Sequence, residues 1–231
     1  MKKAGFFLLL LGGTTVLFAK DFWEKPFAEW KHSEVVKMLE DSPWSDKVVI
    51  TDQRAGRNTR NVAGEMEIYY SYTVRLFSAF PVRAGYVRMF QLMNKYDDLS
   101  REEKAAFDQK FAPALRDFPD QIIVNLDFET NDRQASMEVD RRLKQLTTDQ
   151  IKQSVFLISD SLGRVEVLQY FPPSPDGTGA KFSFPREVDG KPIVQETDKE
   201  LKFELYVPGT GHKVYQVWKV KDLSYDGKPA V

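Results

Sequence analysis

The sequence predicts an α+β fold: a mixed helix and strand region over residues 20–150, then an antiparallel β-rich region over residues 151–231, the two readable as one continuous domain. Three observations carry that prediction. Met66, Ile68, Tyr70, Tyr72, Val74 and Leu76 alternate with more polar neighbours long enough to define a strand of period two. On either side of it, apolar residues recur at helical spacing behind capping and proline signals. From Ile151 onward that spacing stops, and short strand runs are separated by turns rich in glycine, proline and aspartate.

The chain opens on Met1-Lys2-Lys3, runs uncharged from 4 to 19 with a dense Phe-Phe-Leu-Leu-Leu-Leu centre, and resumes charge at Lys20-Asp21. A cationic start, an apolar centre and a small residue at the cut mark a signal peptide. Gly12-Gly13-Thr14-Thr15 interrupts the run, which falls short of the about 20 apolar residues a spanning helix wants. Cleavage near Ala19 and export to the periplasm or beyond are therefore expected, with no membrane span in the mature chain.

The elements follow in order. Ser33 is the expected N-cap of a first helix with Val35, Val36 and Leu39 on one face, ended by Ser42-Pro43, since the residue before proline avoids helical geometry. Residues 47–52 form a short strand, and 66–76 the long alternating one, which places Tyr70 and Tyr72 inside and Tyr69 on the more polar face. Pro81 suits the first turn of the next helix, with a stripe of Val82, Tyr86, Met89, Phe90 and Met93. Ser100 and Glu103 make a capping box opening a helix to about Phe111, where Pro113 blocks continuation. A strand over 121–128 and a helix over 137–146 complete the first region.

Hairpin grammar governs the rest. Strands at 155–158 and 165–171 flank Asp160-Ser161-Leu162-Gly163, residues 172–179 are a proline-rich loop, and strands at 202–207 and 213–221 flank Pro208-Gly209-Thr210-Gly211. In the last strand Val214, Gln216, Trp218 and Val220 share a face. Asp-Gly-Lys-Pro occurs at 189–192 and again at 226–229, where aspartate and glycine supply the positive φ angles of a tight turn. Two copies make two turns; a solenoid needs at least three repeats.

At Glu29-Trp30, Glu34-Val35, Met38-Leu39 and Asp41-Ser42-Pro43-Trp44-Ser45, and again at Phe184-Pro185-Arg186 with Asp189-Gly190-Lys191-Pro192, the chain resembles a group of secreted bacterial proteins of unknown function. They share a short leader, an early tryptophan-bearing helix ending in Ser-Pro-Trp, and a late Phe-Pro-Arg before Asp-Gly-Lys-Pro. The resemblance implies export and carries no chemistry.

Composition excludes several classes. With 13% aromatic and 42% hydrophobic residues the chain buries enough apolar surface to fold. Its 33 lysines and arginines balance 34 acids, so no nucleic-acid partner is expected. Without cysteine there is no disulfide, thiol nucleophile or thiolate metal site. His32 and His212 are the only imidazoles, each read as a surface or turn residue. No nucleophile elbow, zinc-protease or phosphate-loop motif is present.

Two patterns remain as candidate sites. Arg54, Arg57 and Arg60 form an acid-free loop suited to an anionic ligand or acidic surface. Asp127, Glu129, Asn131 and Glu138 offer oxygens at positions one, three, five and twelve of a calcium-type loop, although Asp132 stands where that loop wants glycine. The aromatics at Trp23, Phe27, Trp30 and Trp44 are read as packing, with Trp30 and Trp44 pinning the first helix to the sheet. Glu65 and Glu67 share a strand face as ordinary polar positions. No catalytic residue and no cofactor are expected. The function expected is that of an exported, non-catalytic binding or interaction module, with an envelope protein or polymer as ligand and the 172–179 loop as a contact surface. The alternative is a carboxylate-dependent hydrolase of envelope or extracellular polymer.

Overall fold

The structure, a computed structural model, describes residues 21–54, 66–175 and 177–231. The leader with its expected cut near Ala19, the arginines Arg57 and Arg60, and Glu65 lie outside the described residues, as does the side chain of Arg54.

The first region holds α1 (His32–Glu40), β1 (Ser45–Arg54), β2 (Met66–Leu76), α2 (Phe80–Met93), α3 (Arg101–Phe111), β3 (Gln121–Thr130), α4 (Arg133–Gln145) and the single turn α5 (Thr148–Ile151). Then come β4 (Val155–Ser159), β5 (Gly163–Glu166), β6 (Gln169–Phe171), β7 (Ala180–Pro185), β8 (Glu187–Val188), β9 (Lys191–Pro192), β10 (Glu200–Tyr206), β11 (Lys213–Lys219), β12 (Ser224–Tyr225) and β13 (Lys228–Pro229). The α+β class read from the sequence is the one observed, with a β-rich C-terminal region.

All pairing is antiparallel. One sheet runs β1-β2-β3-β7-β6, a second runs β11-β10-β4-β5, and the pairs β8-β9 and β12-β13 are tight hairpins. The inner face of β2, with Ile68, Tyr70, Tyr72, Val74 and Leu76 buried, looks toward the second sheet. Phe203 on β10 meets Phe182 and Phe184 on β7 at centroid distances of 5.4 and 6.4 Å, so one apolar core runs through both sheets. Burying a ring of that size contributes about 1.5–3 kcal/mol.

The other face of the first sheet carries α1 and α2, which explains why β2 is buried on both sides at its far end. Thr73 and Arg75, polar by alternation, are both buried. Arg75 donates to the Leu39 carbonyl at the end of α1, pairs with Asp127 and lies 5.7 Å from the Tyr86 ring centroid. Beside it, Asn125 donates to the Tyr86 hydroxyl at 2.9 Å and the Thr178 carbonyl at 2.6 Å. A buried guanidinium without such acceptors would cost several kcal/mol.

Several boundaries differ from the sequence reading. Helix α1 begins at His32, before Ser33, because the Glu34 carboxylate reaches back to accept the Lys31 N–H at 2.7 Å while also binding Lys25. Helix α4 begins at Arg133, since Asp132 accepts from the Ala135 N–H at 2.7 Å and caps it there. Strand β1 is longer than 47–52, its ten residues matching the full register of β2.

Helix α2 departs from its predicted stripe. Met93 is exposed, while Arg83, Ala84, Gly85, Val87, Arg88 and Gln91 are buried. Met38 and Leu39 of α1 crowd the space a Cβ would take at Gly85, and Trp30 accepts through its carbonyl from Arg88 at 3.0 Å. The predicted 165–171 strand is two strands in different sheets: β5 pairs with β4, and β6 with β7. Alternation records which face a residue takes and not which sheet receives it.

The two Asp-Gly turns are as read. Asp189 and Gly190 have φ of 51° and 74°, Asp226 and Gly227 φ of 52° and 69°, and each pair closes a two-residue hairpin.

Candidate anion-binding cleft

The arginine on the buried side of α2 defines the most demanding site. Arg83, only 1% exposed, donates through Nη1 to the Ala114 and Arg116 carbonyls and through Nη2 to Asp117 at 3.1 Å. Its charge centre lies 5.8 Å from the Phe80 ring centroid and 5.3 Å from that of Phe118. Its buried Nε has no acceptor. Pro113 matters here, because it ends α3 and turns the chain through a 3₁₀ segment, Ala112–Leu115, that presents these carbonyls.

A second guanidinium joins it. Arg186, next to β7, donates through Nε to the Phe118 carbonyl at 2.7 Å and through Nη2 to the Val231 carbonyl. Burial pulls the pKa of both arginines down. Asp117 opposes that in both, and Arg83 adds to it in Arg186. Asp117 is 89% exposed, so water screens the carboxylate that pairs with buried Arg83 and acts at longer range on half-buried Arg186.

The two arginines line a cleft of about 640 Å³ together with Lys228 and Tyr225 of the β12–β13 hairpin. That volume lies within the roughly 300–1,000 Å³ of small-molecule sites. Two of the elements that carry the resemblance meet beside it. Trp44 of Ser-Pro-Trp donates its indole N–H to the Ala230 carbonyl at 2.8 Å, and Arg186 of Phe-Pro-Arg holds the next residue. The Asp-Gly-Lys-Pro of the resemblance, 189–192, lines a different cleft, and the Asp226 and Lys228 wall comes from the copy at 226–229. No family model, curated protein or solved structure matches the chain. The resemblance therefore stands on those residues alone.

Other regions are less suited. His212, read from the sequence as a turn residue, closes the turn just before β11, with Nδ1 2.8 Å from the Tyr72 hydroxyl and its ring 4.4 Å from that of Tyr70. Burial, and Tyr70 beside it, push the Tyr72 phenol well above its ordinary pKa, so it stays protonated. Asp52 and Glu138 line the same cleft, but its volume of about 90 Å³ falls well below the roughly 300–1,000 Å³ of small-molecule sites. Thr210 receives the His212 backbone N–H, and its own hydroxyl donates to the Val207 carbonyl, so it is not set as a nucleophile for the imidazole. A cleft of about 790 Å³ is lined by Asp21, Glu24, Asp222 and Asp226, acids at an open surface. On the outer face of the second sheet Tyr206 and Tyr215 flank Lys213, whose charge is met by Glu204 at 2.7 Å.

The calcium-type residues are not gathered. Asp127 pairs with Arg75 on the helix side of the first sheet, whereas Glu138 pairs with Arg142 on α4 at 2.7 Å and lines the His212 cleft. Glu129 lies on β3 opposite Ser71. Asn131 bridges to β2, accepting the Tyr69 N–H at 2.9 Å and donating to the Glu67 carbonyl at 3.0 Å. Among the described residues no group of three or more His, Asp or Glu is placed to hold a metal ion. Of the arginine loop, the backbone of Arg54 ends β1 and the rest lies outside the described residues.

Arg83 and Arg186 had no signal in the sequence beyond Phe-Pro-Arg. A lone arginine inside an amphipathic pattern reads as surface, and only the fold brings residues 83, 117, 186 and 228 to one cleft.

Proposed function

We propose that the protein is an exported, non-catalytic binding module that takes an anionic group in the cleft lined by Arg83, Arg186 and Lys228. One observation carries the reading: the buried guanidinium of Arg83 has an Nε without an acceptor and only the largely exposed Asp117 as its carboxylate, at the wall of a ligand-sized cleft that Lys228 and half-buried Arg186 also line. An oxyanion there satisfies charge that the protein leaves under-compensated. No helix among the described residues is long and apolar enough to cross a membrane. The periplasm or the extracellular space is the expected place of work, on the strength of the leader.

Thermal denaturation in acetate against chloride at equal ionic strength tests the binding. At ten times its Kd, acetate adds about 1.4 kcal/mol and raises the melting temperature by about 3–6 °C. Arg186→Gln abolishes the difference between the two salts. A wild-type protein equally stable in both overturns the proposal. Mass measurement of the protein recovered from envelope and medium fractions tests export, with loss of the first nineteen residues expected and an intact cytosolic chain refuting it.

A further inference from the structure

We infer that Asp117 is a displaceable occupant of the cleft, holding one corner of the Arg83 guanidinium until an oxyanion ligand takes both corners of the same edge; this rests on the anion-binding reading above. A guanidinium is planar and rigid, and Nε and Nη2 lie side by side on one edge, a fork that matches two oxygens of a carboxylate or phosphate. On that edge of Arg83, Asp117 Oδ1 accepts from Nη2 at 3.1 Å, whereas the buried Nε has no acceptor. The remaining amino group, Nη1, is spent on the Ala114 and Arg116 carbonyls. Asp117 therefore half-fills the fork.

Exposure decides which partner can leave. Arg83 is 1% exposed and fixed by backbone carbonyls, while Asp117 is 89% exposed, and both line the cleft. An ion pair open to water holds by only about 1.4- to 5-fold in its equilibrium constant. Turning Asp117 into solvent with nothing in its place would strand a buried cation. Exchange for an arriving carboxylate or phosphate avoids that penalty, and the second oxygen gives Nε the acceptor it lacks. Arg186 keeps its bonds to the Phe118 and Val231 carbonyls and contributes its positive field. The contact that neutralises Arg83 is thus the one a ligand must break, an internal competitor that sets the affinity of the site.

The test is calorimetric titration of the wild type, Asp117→Asn and Asp226→Asn with acetate. Asp226 lines the same cleft at a left-handed φ of 52°, which asparagine tolerates. Asp226→Asn therefore removes one charge from the cleft without touching the Arg83 fork, and it measures the effect of charge alone. Asp117→Asn is expected to bind acetate about 1.4- to 5-fold more tightly than Asp226→Asn does. In the wild type, the Arg83 Nε–H proton resonance is expected to move downfield through the titration as an acceptor arrives.

Asp117→Asn binding no more tightly than Asp226→Asn, or more weakly than the wild type, overturns this inference and leaves the anion-binding reading standing. So does acetate binding that leaves the Nε–H resonance unmoved. No binding by the wild type or by either variant overturns both.

Discussion

Phe203→Ala tests whether the two sheets fold as one unit. Phe203 is fully buried on β10 and touches Phe182 and Phe184 across the sheet interface. Removing a buried phenyl ring costs about 3–5 kcal/mol, the lost transfer energy plus the cavity left behind. At this chain length each kcal/mol lowers the melting temperature by about 2–4 °C, so a fall of about 6–20 °C is expected. Trp23, Trp30 and Trp44 cluster on the helix side, with Trp23 and Trp44 at 5.7 Å and Phe22 joining Trp23 to Trp30. In a Trp218→Phe background, which removes the one tryptophan of the second sheet, fluorescence therefore reports on the first region, and far-UV circular dichroism on both. If the shared core couples them, both signals shift together in a single transition. Tyr206→Ala, on the outer face of the same strand, lowers stability by under about 1 kcal/mol. A fluorescence transition unmoved by Phe203→Ala, beside a lowered dichroism transition, would refute the reasoning.

Three further outcomes follow from local geometry. Gly179 has φ of 71°, and a Cβ there would overlap the Leu126 carbonyl, whereas Gly227 at 69° opens on empty space; Gly227→Ala costs about 1–2 kcal/mol of left-handed strain, and urea denaturation shows Gly179→Ala costing more. Ser100→Ala removes the cap of α3, whose Oγ accepts the Glu103 N–H at 3.3 Å. Because α3 buries no residue, the loss of about 0.5–2 kcal/mol appears as faster amide exchange within that helix rather than as global unfolding. The Asp160 carboxylate accepts the Lys199 and Glu200 N–H groups, which holds its pKa below the usual aspartate value. A depressed folded pKa gives stability that is present above the unfolded value near pH 4 and lost as pH falls through the folded one. Asp160→Asn therefore lies below wild type at neutral pH, with the gap closing under acid; a constant gap in melting temperature from pH 7 to pH 2 contradicts this.

The residues show where sequence and fold divide the work. Period-two alternation placed Tyr70 and Tyr72 indoors and put Val214, Gln216 and Trp218 on one face, and each of the five is buried. The capping box at Ser100 and both Asp-Gly turns read correctly because each is a contact between near neighbours, set by short-range sterics and hydrogen bonds. The failures have a common cause. Arg75, on the polar side of the alternating strand, is buried, and so are Arg83, Arg88 and Asn125, for which the sequence carries no signal. Their partners are carbonyls, hydroxyls and aspartate carboxylates, most of them on other elements and often tens of residues away. His212 closes the turn it reads as part of, but nothing near it announces its contact with Tyr72, 140 residues earlier in the chain. The split of residues 165–171 between two sheets is equally silent, since β5 and β6 differ only in the neighbour each finds.

The sequence alone determined the class of fold, most of its helices and strands, the turns between them and the inward faces, because hydrophobic period and turn chemistry act over a few residues. Tertiary structure decided which sheet takes each strand, which charges go inside, and where Arg83, Arg186 and Lys228 meet. These depend on desolvation and on pairing across distant segments, which no local pattern encodes.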